Sequence, residues 1–168
     1  MKKQLTWLLT FIGFMGIMAC EKNSALTAAE EDALIKAFIA KKGWTAQSTP
    51  EGIYYVTDVA GTGSSTPAPT NTVKVFYKGY LLDEKVFDSN LAPSPAIEFA
   101  LNRVIQGWTI GFQKFKPGSK GKLLIPSPYA YGASGQGGIP GYSPLVFVVM
   151  NILVDVLYAV LDPRIRLS

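Results

Sequence analysis

Four short segments carry aromatic side chains, hydroxyls and one carboxylate at spacings that ordinary core packing does not require. They read Phe87-Asp88-Ser89, Val104-Ile105-Gln106-Gly107-Trp108, Tyr129-Ala130-Tyr131-Gly132 and Leu145-Val146-Phe147. Large apolar surfaces with a few fixed polar groups suit a pocket that orients a neutral polar group such as an amide. The chain has no histidine, which removes the commonest general base and the commonest metal ligand. Its single cysteine excludes an internal disulfide and a cysteine metal cluster. Each residue also has a plainer reading. Trp108 on a helix face, or Phe147 within a strand, is more often core than site. Asp88 after a strand could cap a turn. Gly132, Gly135, Gly137 and Gly138 suggest a phosphate loop, but no Gly-Lys-Ser/Thr and no following helix accompany them.

These residues need elements to hold them. Thr27-Ala28-Ala29-Glu30 is a capping-box pattern, and Gly43 after Lys41-Lys42 is a helix stop. Between them Leu34, Phe38 and the neighbouring Ile35 and Ile39 give an apolar face, so an amphipathic helix is predicted over about 28–42. That face can pack on its own domain or on a partner. Ile53–Val56 is rich in strand formers, and 61–71 is a Gly/Ser/Thr/Pro loop. Val73–Leu81 is a strand with Val73, Val75, Tyr77 and Leu81 on one face. Asp83-Glu84 turns the chain, Lys85–Asp88 returns, and Ile97–Leu101 resumes strand alternation after a proline loop. Val104–Phe115 is the one predicted helix of this region, with Trp108 and Phe112 four apart. Lys122–Ile125 is a short strand, 127–142 a glycine-rich loop, and Leu145–Val156 an apolar terminal strand that can extend to Tyr158. The sum is an α+β domain, an antiparallel sheet with a helix laid on one face.

The 168 residues point to one domain plus extensions, and 48% apolar content supports a full core. The start, Met1-Lys2-Lys3 followed by an apolar run over 5–19, describes a secretory signal too short for a spanning helix. Cys20 directly after Ala19 resembles a bacterial lipobox, in which the cysteine is lipidated after cleavage; an uncleaved anchor is the alternative. Without Lys2 and Lys3, fourteen cations face twelve carboxylates. That excess of two is not the basic stripe of a nucleic-acid binder.

Five motifs in order then identify a family. Val75-Phe76-Tyr77-Lys78-Gly79, Phe87-Asp88-Ser89, Leu101 with Val104–Trp108, Pro126-Ser127-Pro128-Tyr129-Ala130-Tyr131-Gly132 and Leu145-Val146-Phe147 resemble the FKBP-type peptidyl-prolyl isomerases over roughly residues 50–157. The layout before the domain, with lipobox, helix and Gly43-Trp44, is similar to bacterial envelope FKBP lipoproteins. The resemblance implies a twisted, half-open antiparallel sheet wrapped around one short helix and preceded by the N-terminal helix. It implies a signal peptide at 1–19, a lipidated tether and helix at 20–49, an isomerase domain at 50–158 and a tail at 159–168. It makes Trp108 the pocket floor, with Tyr77, Phe87 and Phe147 as walls. Val104 and Ile105 line the rim, where the Ile105 amide meets a ligand carbonyl, and Ile139 closes one side. Asp88 and Tyr131 are the implied catalytic residues, Tyr131 through a hydroxyl offered to the substrate carbonyl and Asp88 beside Tyr77. The implied reaction is cis/trans exchange of X-Pro bonds in exported proteins, which breaks no bond and needs no cofactor or metal. The implied partners are proline-containing polypeptides, macrolide ligands of the same pocket, a membrane reached by the lipid on Cys20, and a second copy bound through the 28–42 helix. A cell-envelope location follows. A chaperone-like peptide-binding module with little turnover, or a structural lipoprotein with a vestigial pocket, are the competing functions. The chain departs from the family at Gln136, where histidine is frequent, at Arg103, where an acidic residue or glycine is common, at Val148 in place of aspartate, and at Ile97 in place of an aromatic.

Overall fold

Strand β7 (Leu145–Val154) is a nearly continuous apolar run and strand β6 (Lys120–Ile125) ends in one, Leu123-Leu124-Ile125, which is the pattern of strands covered on both faces. The computed structural model, which describes residues 26–91 and 94–154, shows what covers them. The expected signal peptide, Cys20, the tail and the extension of the last strand beyond residue 154 lie outside the described residues.

The remaining strands are β1 (Gln47–Ser48), β2 (Tyr54–Val59), β3 (Thr72–Leu81), β4 (Val86–Asn90) and β5 (Ile97–Ala100). All seven join one antiparallel sheet in the order β1-β2-β6-β7-β3-β4, with β5 also paired to β3. β3 thus has β7 along one edge, while its other edge is shared: β4 pairs with Tyr77–Tyr80 and β5 with Thr72–Val75. The two-residue β1 was not foreseen; its residues Gln47 and Ser48 offer no apolar alternation.

The inner face carries α2 (Gln106–Phe112). Val73, Val75 and Tyr77 of β3, Leu123 and Ile125 of β6, and Leu145, Phe147 and Val149 of β7 bury against Trp108, Phe112 and Phe115. The helix lies close to β6 because two glycines face that strand. A Cβ on Gly107 would fall 2.2 Å from the Ile125 side chain, and one on Gly111 2.6 Å from Leu123. α2 is shorter than the predicted Val104–Phe115. Leu101–Arg103 forms a 3₁₀ turn and Val104 is extended, so helical geometry starts only after Ile105. At the other end, Lys114 and Phe115 donate to Gly111 and Phe112, three residues back, which tightens and ends the helix.

The outer face carries α1 (Ala28–Lys42). Both capping-box bonds between Thr27 and Glu30 are present, and Gly43 closes the helix in the left-handed conformation. The helix packs on its own sheet: Ile35 and Phe38 form a second cluster with Tyr80, Leu124 and Val146. The buried stripe is Glu31, Ile35 and Phe38, flanked by half-buried Ile39. Leu34, expected on that stripe, is 44% exposed. Ile35, Phe38 and Ile39 lie where expected and Leu34 alone was misplaced, because a buried glutamate takes the position an apolar residue would mark. Tyr80 reaches the outer face by the same alternation that turns Val73, Val75 and Tyr77 inward, and it stands opposite Val146 of the same outer cluster.

Candidate active site

A cavity of about 490 Å³ opens between the inner face of the sheet and α2. That volume lies within the range of small-ligand sites. Five elements supply its walls. From β3 comes Tyr77, from β4 Phe87 and Asp88, from β5 Phe99, and from β7 Phe147. Arg103, Val104 and Ile105 lead into α2, which contributes Trp108. Tyr131 and Gln136 come from the segment after β6.

Trp108 organises the floor. Its ring is met edge-on or at a steep tilt by Phe112 at 5.0 Å, Phe99 and Phe147 at 5.1 Å each, and Tyr77 at 5.4 Å between centroids. Edge-to-face pairs of this kind each add about 0.5–1.5 kcal/mol beyond area burial. The indole is only 4% exposed, yet it still forms part of the cavity wall. Its N–H is buried without a hydrogen-bond partner among the described residues. Leaving a buried donor unpaired costs about 1–3 kcal/mol, so this floor is not the arrangement that stability alone favours.

Gly79 sets the wall between β4 and β7. A Cβ there would stand 2.6 Å from the Phe87 ring and 2.9 Å from Phe147. Only a bare backbone lets those two rings approach to 5.6 Å and close the cavity on one side.

Arg103 and Gln136 add polar groups to the lining, and Tyr77, Asp88 and Tyr131 stand against its aromatic walls. The Tyr77 hydroxyl donates to Asp88 Oδ2 at 2.6 Å. Asp88 is exposed at the mouth and lies on β4 paired with Gly79, so it caps no turn. Tyr131 is half-buried and has no side-chain hydrogen bond among the described residues. Burial, then the charge of Asp88, pushes its hydroxyl above the ordinary phenol range. Burial pushes Tyr77 up strongly as well, reinforced by its hydrogen bond to Asp88 and by that charge. Both tyrosines are therefore neutral donors. A further donor is backbone: the Ile105 N–H precedes the first turn of α2 and is not used inside the helix.

Tyr77, Phe87, Asp88, Val104, Ile105, Trp108, Tyr131 and Phe147 all line this one cavity. Ile139 does not. It is 8% exposed and packed in the inner cluster, joined by reciprocal backbone bonds to Gln136, which takes the place on the wall. Phe99 was missed. Its direction is set by the β5 register, which places Phe99 opposite Val73, itself an inward residue.

The matching family model is the FKBP-type peptidyl-prolyl cis-trans isomerase, over residues 63–150, more than half of the chain. The chain belongs to this family. A relative is the FKBP-type isomerase FkpA of Aeromonas hydrophila, 42% identical over 109 residues, which cover 65% of this chain and 40% of that protein. The crystal structure of Escherichia coli FkpA superposes with a TM-score of 0.65 at 39% identity, covering 76% of this chain and 60% of the other. A peptidyl-prolyl cis-trans isomerase structure from Pseudomonas syringae gives 0.62 at 36% identity, covering 77% and 98%. The chain spans less than half the length of the FkpA proteins of Aeromonas and Escherichia. The antiparallel sheet around α2 is the FKBP-like fold shared with these structures.

Proposed function

We propose that this protein catalyses cis/trans exchange of X-Pro bonds by taking the prolyl ring into the cavity floored by Trp108. The supporting observation is the cavity itself: an aromatic enclosure of about 490 Å³ formed by Tyr77, Phe87, Phe99, Trp108 and Phe147, with two neutral tyrosine hydroxyls and with Asp88, Arg103 and Gln136 as the other polar groups of its lining. The barrier to be lowered is ~18–20 kcal/mol and arises from amide resonance. A twisted amide has less charge separation than a planar one. An apolar enclosure therefore disfavours the planar ground state relative to the twisted form, which is differential binding of the transition state. Tyr131 holds the carbonyl while the other side of the bond rotates. Ile105 N–H and the Val104 side chain secure the flanking peptide at the rim, and Phe87 and Phe147 clamp the ring. Asp88 acts through Tyr77, fixing that ring as a wall. Uncatalysed exchange takes about 10–100 s at 25 °C, so acceleration is readily seen.

The same reading puts the protein in a bacterial cell envelope, with residues 1–19 removed and Cys20 lipidated; the sequence of the N-terminus supports it. Intact-mass measurement of protein made in a bacterium is expected to show acylated Cys20 as the first residue, and an intact Met1 overturns that. Macrolide ligands belong to the same cavity in this reading. A homodimer formed through α1 uses its outer face around Leu34, because Ile35 and Phe38 are taken by the protein's own sheet. Sedimentation as a monomer with α1 present contradicts the dimer.

The test of the site is a titration followed by indole fluorescence and NMR. A tetrapeptide with a central X-Pro bond is expected to perturb Trp108, and its X-Ala counterpart is not. Equal responses to the two peptides contradict a prolyl pocket.

A further inference from the structure

Glu31 lies on the helix before the domain, outside the family match, and is 2% exposed. A carboxylate is rarely buried to that degree without a specific partner. Its partner is 96 residues away. Ser127 donates its backbone N–H to Glu31 Oε2 at 2.7 Å and its hydroxyl to Oε1 at 2.5 Å. Ser127 begins the 3₁₀ turn Ser127–Tyr129 that follows β6. Its carbonyl in turn accepts from Ala130 N–H at 3.0 Å and from Gly132 N–H at 2.9 Å. Those two residues stand on either side of Tyr131. One serine thus has its donors held by α1 and its acceptor holding both neighbours of the cavity tyrosine.

We infer that Glu31 is a positioning residue for the cavity, fixing the Tyr131 hydroxyl through Ser127. The inference rests on the prolyl reading of the cavity for its kinetic consequence, and on the hydrogen bonds alone for its structural one. Buried charge-assisted bonds are the strong kind, and removing one partner strands the other. With Glu31 gone, the Ser127 N–H has no acceptor and the turn that carries Tyr131 loosens. A substrate carbonyl then meets a hydroxyl that is present but no longer placed, which costs rate more than folding.

The experiment measures kcat/KM for an X-Pro tetrapeptide with the full chain as wild type, Glu31→Ala, Glu31→Gln, Tyr131→Phe and the Glu31→Ala/Tyr131→Phe double variant. Amide hydrogen exchange at Ala130 and Gly132 is followed in parallel. Glu31→Ala is expected to lower kcat/KM about tenfold, mostly in kcat, and to speed exchange at the two amides about tenfold. Glu31→Gln is expected to stay within about twofold, since its amide oxygen accepts from the Ser127 N–H and its NH₂ donates to the Ser127 hydroxyl. In the Tyr131→Phe background, Glu31→Ala is expected to cost less than about twofold, because its effect passes through the missing hydroxyl. Equal losses in both backgrounds, or an unchanged kcat/KM in Glu31→Ala, overturn the inference. Should Glu31→Ala fail to fold, Ser127→Ala, which removes only the hydroxyl bond, takes its place in the same comparison. A wild-type protein without activity contradicts the prolyl reading instead; the exchange of Ala130 and Gly132 then decides for or against Glu31.

Discussion

Tyr77 and Tyr131 set what the cavity can do, because each must stay protonated to donate. Burial and the charge of Asp88 hold both hydroxyls above the usual phenol value of about 10. A raised phenol favours the neutral form in the folded state. Any stability from it is therefore present below about pH 10 and lost only as pH rises through the folded value. Catalysed exchange is accordingly expected to show no tyrosine-dependent fall between pH 7 and about pH 10. A decline centred near pH 8 in a pH–rate profile contradicts this. Tyr131→Phe removes one hydrogen bond worth about 1–1.5 kcal/mol and is expected to lower kcat/KM roughly tenfold without a change in the urea midpoint. An unchanged kcat/KM removes Tyr131 from the mechanism. Trp108→Ala is expected to abolish measurable catalysis and to cost about 3–5 kcal/mol of stability in urea, since four rings pack on the indole. Most of these residues were legible from motif spacing. Phe99 and Ile139 were not, because a single strand position and a loop apolar residue leave their direction open until register is known.

Two elements sandwich the central strands, and their contacts answer to different rules. α2 lies against β6 at a distance set by what Gly107 and Gly111 lack. Gly107→Ala is expected to destabilise by about 1–3 kcal/mol through overpacking on Ile125. Adding Ile125→Ala, which removes the clashing methyl, is expected to cost less than the sum of the two single changes. Additive urea midpoints contradict that close contact. α1 is anchored by burial, and Ile35→Ala is expected to cost about 2–5 kcal/mol. A cost below 0.5 kcal/mol means that α1 does not stay docked on the sheet. The bounds of α1 were readable in advance, since capping box and terminal glycine act within a few residues of the helix. The bounds of α2 were not. The Trp108–Phe112 spacing marks a helical turn but says nothing of the extended Val104 or the tight exit at Phe115. The end of β6 and the start of β7 read as plain apolar strand, and the docked α1 explains why their outward residues Leu124 and Val146 are apolar too.

At the scale of the molecule, one sheet carries a catalytic candidate on its inner face and a helical extension on its outer face. The extension is tied through Glu31 to Ser127, so the hydrogen-bonded unit is larger than the matched 63–150. The chain spans less than half of the FkpA relatives' length, so its activity has to be measured on this protein itself. The measurement that bears most directly on the cavity is exchange of an X-Pro tetrapeptide by purified residues 21–168 at micromolar concentration. Cis/trans relaxation well above the buffer rate, and lost on Trp108→Ala that remains folded, is the expected result. Relaxation indistinguishable from buffer with the folded wild-type protein contradicts it.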